Sequence, residues 1–333
     1  MVSIKKIAFF DTKPYDKIWF DKYKEEFGID IKYFDVKLTS DTAVIARDFD
    51  GVCAFVNDRI DELTVNILSA LGINIIAMRC AGYNNVDLKA AMDKITVVRV
   101  PVYSPYAVAE HAVALLLTLN RKTHRAYIRT KEHNFNISGL EGFDIYGKTV
   151  GVIGTGKIGQ TFIDVISGFK PNIIAYDPYP VKDKSINYVS LDEIFEKSDI
   201  ISLHCPLTKE TKNIINKDSI RKMKDGVYII NTSRGQLINS EDLLEGILSR
   251  KVGGAALDVY DEEEHFFFED FSQEIIHDET LPRLISMPNV IITSHQAFLT
   301  NEALESIAKV TLQNLKDFFD NKEIKNAISY KKQ

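Results

Sequence analysis

Three groups in the second half of the chain could together reduce a carbonyl: Arg234, an acid at or just beyond Asp258, and His295. Each follows a short apolar run: IINTS before Arg234, GGAAL before Asp258 and VIITS before His295. Asp258 leads into Tyr260 and an acidic run, Asp261 to Glu264. The chemistry this set suits is hydride addition to a 2-keto acid, whose carbonyl becomes an alkoxide beside a carboxylate. Arginine offers a planar fork of donors that grips the carboxylate and polarises the carbonyl. Histidine delivers a proton near neutral pH. A carboxylate beside that histidine orients the ring and favours its charged form. Taken singly, each group has a plainer reading. Arg234 also reads as a helix-cap or surface residue, His295 as a satisfied buried histidine, and the acidic run as a solvated loop, as we read Glu262 and Glu264.

Hydride needs a carrier, and Gly154-Thr155-Gly156-Lys157-Ile158-Gly159 supplies a place for one. A β-branched apolar run leads into this GxGxxG pattern and TFIDVISGF leads out of it as a helix. Gly154 permits the tight turn, Gly156 lets backbone approach a pyrophosphate, and Gly159 lets the helix pack closely on the strand. The exposed amides of the helix N-terminus then face the anion. Asp177 ends the next apolar run, 18 residues past Gly159. A carboxylate there accepts from both ribose hydroxyls and repels a 2′-phosphate, which favours NAD over NADP. Tyr179 and Lys182 leave some tolerance of NADP open.

The elements that must position these groups follow from periodicity. Residues 148–154, 172–177, 199–206, 226–233, 253–260 and 289–295 are six strand-like runs, the pattern of a complete doubly wound nucleotide-binding domain. In such a sheet the ligand crevice lies outside the carboxyl ends of the strands, so Arg234, Asp258 and His295 should face one crevice. A first α/β pattern precedes it, with strands at 4–10, 29–34, 51–56, 73–78 and 95–100 and a helix at 61–72. Ser104-Pro105 starts a helix expected over about 105–130, whose apolar run Ala112–Leu119 is central to a core or half of a subunit interface. A last amphipathic helix is expected over about 301–320.

Composition narrows the partners. With 333 residues, 45% hydrophobic and 26% charged, two domains of a soluble protein are expected. A net charge of −6 argues against nucleic acid or an anionic membrane surface. No window approaches the ~20 apolar residues of a membrane span, and MVSIKKIAFFDTK does not resemble a signal peptide. Cys53, Cys80 and Cys205 show no CxxC spacing, which suggests free thiols in a reduced cytoplasm and no metal. His111, His124, His133, His204, His265 and His277 show no metal spacing and are assigned no catalysis. Trp19 and Phe298 read equally as pocket walls or core.

GTGKIG, NTSRG, AALDVYDEEE and SHQAF, in this order, together with RCAGYNNVD (79–87) and VPVYSPYAVAEH (100–111), resemble the D-isomer-specific 2-hydroxyacid dehydrogenases, most closely their lactate-forming branch. The resemblance spans essentially the whole chain. It implies an α/β fold of two doubly wound parallel-sheet domains, with a Rossmann NAD domain, 101–298, inserted into a flavodoxin-like substrate domain, 1–100 and 299–333. It implies reversible reduction of pyruvate by NADH, with Arg234 binding substrate, His295 donating the proton and Glu263, five residues after Asp258, as the supporting acid. It further implies backbone amides of Ala81 and Gly82 at the substrate carboxylate and Tyr103 lining the pocket. Lys157, Ile158, Asp177, Cys205, Pro206, Asn213, Thr232 and Asp258 would contact NAD, and a homodimer would form through the helix after VPVYSP. The long segment HFFFEDFSQEIIHDETLPRL departs from the pattern, and its three successive phenylalanines should pack over the pocket or the domain edge. Two other readings stay open: a relative acting on bulkier keto acids such as those of hydroxyisocaproate or phenyllactate, and an NAD-sensing binding protein like the corepressors that share this fold. Formate chemistry fits less well, because a glutamine would be expected where Glu263 stands.

Overall fold

The computed structural model describes residues 4–182, 185–263 and 266–330, and divides into two compact units. One contains the chain up to Ser104 together with the stretch from Leu299; the other is Pro105–Phe298. The division falls four residues beyond the expected boundary at 100, because the chain stays with the first unit until the helix Pro105–Arg121 begins.

In the first unit, β1 (Lys5–Phe9), β2 (Ile29–Tyr33), β3 (Gly51–Ala54), β4 (Ile75–Met78) and β5 (Thr96–Val98) form a parallel sheet in the order β2-β1-β3-β4-β5. This is the flavodoxin-like order. Every residue of β3 and β4 is buried, as strands covered on both faces require. A short strand absent from the sequence reading, Ala327–Ile328, adds antiparallel to β5, so the sheet is not purely parallel. The 19-residue helix Asn301–Phe319 is capped by the Thr300 hydroxyl, which accepts from the Ala303 amide at 3.2 Å. Its Ala308, Leu312 and Leu315 pack with Ile7, Phe9 and Ile75 in one core. Trp19 packs against that same core.

In the second unit, β6 (Thr149–Ile153), β7 (Asn172–Tyr176), β8 (Ile200–Leu203), β9 (Val227–Asn231), β10 (Val252–Leu257) and β11 (Val290–Ile292) are all parallel, in the order β7-β6-β8-β9-β10-β11. Beyond β7, Tyr188 makes a lone parallel bridge to Ala175, so one residue holds the outer-strand place of the dinucleotide-binding order. The strand order reverses at β6, between β7 and β8, and the glycine loop leaves β6 at that switch point.

The helix expected over 105–130 is two helices, Pro105–Arg121 and Thr123–Lys131. Lys122, at φ +50°, adopts the left-handed region and interrupts the hydrogen-bond ladder. Ala112, Val113, Leu115, Leu116 and Leu119 are buried in this unit's own core with Phe162, Val152 and Ala256. The apolar run is therefore core rather than an open interface. No helix among the described residues is long and apolar enough to cross a membrane.

Candidate active site

The glycine loop separates what the fold demands from what it does not. Gly154 has φ +95°, and a Cβ there would meet the backbone of Cys205. A Cβ on Gly159 would run into the Gly154 carbonyl. Both glycines are required by packing alone. A Cβ on Gly156 would meet nothing within 4 Å, so the protein itself leaves this position open, toward solvent. Gly156 also begins the 11-residue helix Lys157–Ser167 with no side-chain cap, leaving its first amides for an anion. Lys157 is exposed and Ile158 half-buried beside them. Asp177 is drawn to this loop: its Oδ2 accepts from the Thr155 amide at 2.7 Å and the Thr155 hydroxyl at 3.1 Å, and its Oδ1 from the Tyr179 amide at 2.8 Å. A carboxylate has about four acceptor positions, so capacity for a ribose hydroxyl remains. Thr232 is buried, with its hydroxyl oxygen lacking any hydrogen-bond partner. Burial pushes the Cys205 thiol up to about 11. Pro206 is exposed, and Asn213 adopts φ +54° with its amide donating to the Gln236 carbonyl. An uncapped helix start, an open glycine, an acid at the turn and an orphaned hydroxyl together suit a dinucleotide.

Glu263 and His295 form a pair. His295 Nδ1 lies 2.7 Å from Glu263 Oε1, while Glu263 Oε2 accepts from the Tyr260 amide at 3.0 Å. The carboxylate is thereby held at both oxygens, and the imidazole keeps Nε2 for something else. Both side chains remain partly exposed, at 19% and 17%. His295 sits at φ +51°, a sparsely populated conformation for a residue with a side chain. The phenylalanines of the long loop differ in what they do. Phe267 is buried in the core, and the Phe268 ring lies 6.1 Å from the His295 ring. Glu264 and His265 lie outside the described residues.

Arg234 is half-buried and precedes the short 3-10 turn Gly235–Leu237. Its backbone is pinned by Asn231 Nδ2, which donates to the Arg234 carbonyl at 2.8 Å, and its guanidinium donates to the Ser233 carbonyl at 2.7 Å. A Cβ on Gly235 would strike the Tyr260 carbonyl, so the Arg234 turn lies directly against the segment that leads to Glu263. Asp258 has a different setting from its neighbours in the sequence. It is wholly buried, and its carboxylate accepts from the Thr293 hydroxyl and the Gln296 and Ala297 amides.

In the first unit, Ala81, Gly82 and Tyr103 are half-buried. Arg99 Nη1 donates to the Ala81 carbonyl at 2.8 Å, and Cys80 Sγ to the Gly82 carbonyl at 3.2 Å, so the Ala81–Gly82 backbone is fixed from both sides. The sequence reading missed Arg99, since a lone arginine in an apolar strand carries no pattern. His204 Nε2 lies 2.8 Å from the Ser202 hydroxyl, and its ring packs on Phe162.

Residues 113–297 match the family model described as the NAD binding domain of D-isomer specific 2-hydroxyacid dehydrogenases. A 2-hydroxyacid dehydrogenase homolog of Haemophilus influenzae is 48% identical over 97% of this chain and 99% of its own length. The D-lactate dehydrogenase of Escherichia coli is 48% identical over 93% of this chain and 95% of its own. This chain belongs to the D-isomer-specific 2-hydroxyacid dehydrogenases. The solved apo-structure of the Escherichia coli enzyme superposes with a TM-score of 0.89 at 45% identity, over 97% of this chain and 99% of that one. The dehydrogenase is thus an NAD-dependent oxidoreductase. No cluster of metal-ligating side chains occurs among the described residues.

Proposed function

We propose that this dehydrogenase reduces pyruvate to D-lactate at the expense of NADH, reversibly. The observation that carries the reading is the 2.7 Å contact between His295 Nδ1 and Glu263 Oε1, which leaves Nε2 to donate a proton. NAD in its reduced form, when bound, would supply the hydride. Arg234 holds the keto acid's carboxylate and polarises its carbonyl. His295 gives its Nε2 proton to the developing alkoxide, and Glu263 holds the ring in place and balances its charge. Backbone amides of Ala81 and Gly82 serve the substrate carboxylate, and Tyr103 lines the substrate pocket. Lys157, Ile158, Asp177, Cys205, Pro206, Asn213 and Thr232 serve NAD, whereas Asp258, wholly buried, holds the loop around His295 in shape and does not touch the nucleotide.

The same reading assigns substrate binding to the unit containing residues 1–104 and a homodimer to the whole chain. The helix Thr123–Lys131 buries none of its residues, and Tyr127, Ile128, Phe135 and Ile137 are exposed near it, which supports a second copy there. The three free thiols suit the reducing cytoplasm.

The test is a scan of NADH oxidation over pyruvate, 2-ketoisocaproate and phenylpyruvate, with chiral analysis of the product. Fastest turnover of pyruvate to the D-isomer is expected. A clear preference for phenylpyruvate moves the enzyme to the bulkier branch, and no oxidation with any keto acid makes it a nucleotide-sensing protein.

A further inference from the structure

We propose that His111 is a positioning residue for His295, acting through Asp258 and Thr293; the inference rests on reading His295 as the proton donor. Asp258 is the hub of the loop that carries His295. Its Oδ1 accepts from the Thr293 hydroxyl at 2.5 Å and the Gln296 amide at 2.9 Å, its Oδ2 from the Ala297 amide at 2.8 Å, and its carbonyl from the His295 amide at 2.7 Å. Residues on both sides of His295, and His295 itself, are thus tied to one buried residue. A left-handed conformation such as that of His295 persists only where its surroundings over-determine it.

His111 closes this arrangement from the helix Pro105–Arg121. Its Nε2 lies 3.3 Å from Thr293 Oγ1 and 3.3 Å from Asp258 Oδ1. Counting protons assigns the tautomer. The Thr293 hydroxyl spends its single proton on Asp258 Oδ1, and the carboxylate has none. The hydrogen between these three groups therefore sits on His111 Nε2. Removing it leaves the Thr293 oxygen and a buried carboxylate one donor short. The loop then loses this tie to the helix, and the geometry in which Glu263 holds His295 is less tightly determined. A displacement near 1 Å at a reacting group costs up to about a hundredfold in rate. The glycine loop is untouched, so nucleotide affinity should not change.

The experiment compares wild type, His111→Leu, His111→Gln, Thr293→Val and the double variant His111→Leu/Thr293→Val. It measures kcat, KM for pyruvate, NADH affinity by fluorescence, and thermal midpoint. His111→Leu should lower kcat about tenfold with NADH affinity within about twofold. His111→Gln should recover most of that rate, because its amide nitrogen reaches the Nε2 position as a donor. Thr293→Val should resemble His111→Leu, and the double variant should be no slower than the slower single one, since both break one latch. Unchanged kcat in His111→Leu overturns the proposal, as does a folded His111→Gln with no recovery, or single losses that multiply in the double variant. If His111→Leu does not fold, Thr293→Val with wild-type kcat overturns it equally. Wild type inert on every keto acid removes the reading of the site and this proposal with it. An active wild type matched by His111→Leu removes this proposal alone.

Discussion

Each unit of this dehydrogenase sets a basic side chain beside a carboxylate, and the two pairs have opposite surroundings. In the first unit, the Arg79 guanidinium stacks between Phe9 and Phe55, with centroids 4.6 and 4.4 Å away. It donates to the Phe10 carbonyl at 3.1 Å and the Asp11 carbonyl at 2.6 Å, and lies 3.4 Å from Asp16 Oδ2. Arg79 and Asp16 are only 1% and 5% exposed at their side chains. In the second unit, His295 and Glu263 are similarly close but stay partly open, with Nε2 outside the pair. A charge pair enclosed by aromatic faces and carbonyls lies out of a substrate's reach, even though Arg79 Nε has no partner, and its work is structural. A pair that stays partly open, with a polar atom left over, can do chemistry. Proximity of a basic group to a carboxylate is common to both, and accessibility divides them.

Four measurements would break or sharpen this contrast. The largest effect should come from His295→Ala, which should lower turnover by about a hundredfold or more; near-normal rates would remove His295 from the mechanism. Arg79→Met should act on stability instead, costing about 3–5 kcal/mol because Asp16 is left buried without its partner. Its NADH affinity should be unchanged, and a loss of affinity with an unaltered melting midpoint would erase the distinction between the two pairs. Glu263→Gln should lower kcat for pyruvate about tenfold while keeping the ring's hydrogen bond. Equal rates for Gln and Glu would mean that the carboxylate's charge does no work.

The smallest effect concerns His204, the second unit's own enclosed histidine, whose imidazole burial holds down to about 3. The unfolded chain takes up this proton near pH 6.5, and the folded protein does not until about pH 3. Stability should therefore decline as pH falls through that window. His204→Phe should flatten the decline between pH 6 and 4, measured by urea unfolding, and an identical slope would show that other groups carry it.

Much of the fold was legible because its signals are local. Strand-like runs such as KTVGVIG and DIISLHCP are continuous apolar stretches bounded by polar turns, as strands buried on both faces must be. The glycine loop was legible because each of its constraints acts within six residues of chain. Harder to read were the break at Lys122, where a single left-handed residue interrupts an otherwise helical pattern, and the edge strand Ala327–Ile328, too short for any period to register. The apolar run Ala112–Leu119 showed its composition but not its destination, since core and interface ask for the same side chains.

By itself, the sequence determined the family, the alternation of strands and helices, and the residue types at the strand ends, because these depend on neighbours a few positions away. Only the tertiary structure decided how those types are used. Glu263 meets His295 across 32 residues of chain, and His111 meets Thr293 across 182. Asp258, next in line to act as an acid by position, is instead enclosed by three donors from the 293–297 loop. Such pairings depend on strand register and helix packing, which bring distant residues within hydrogen-bond reach and leave no trace in local spacing.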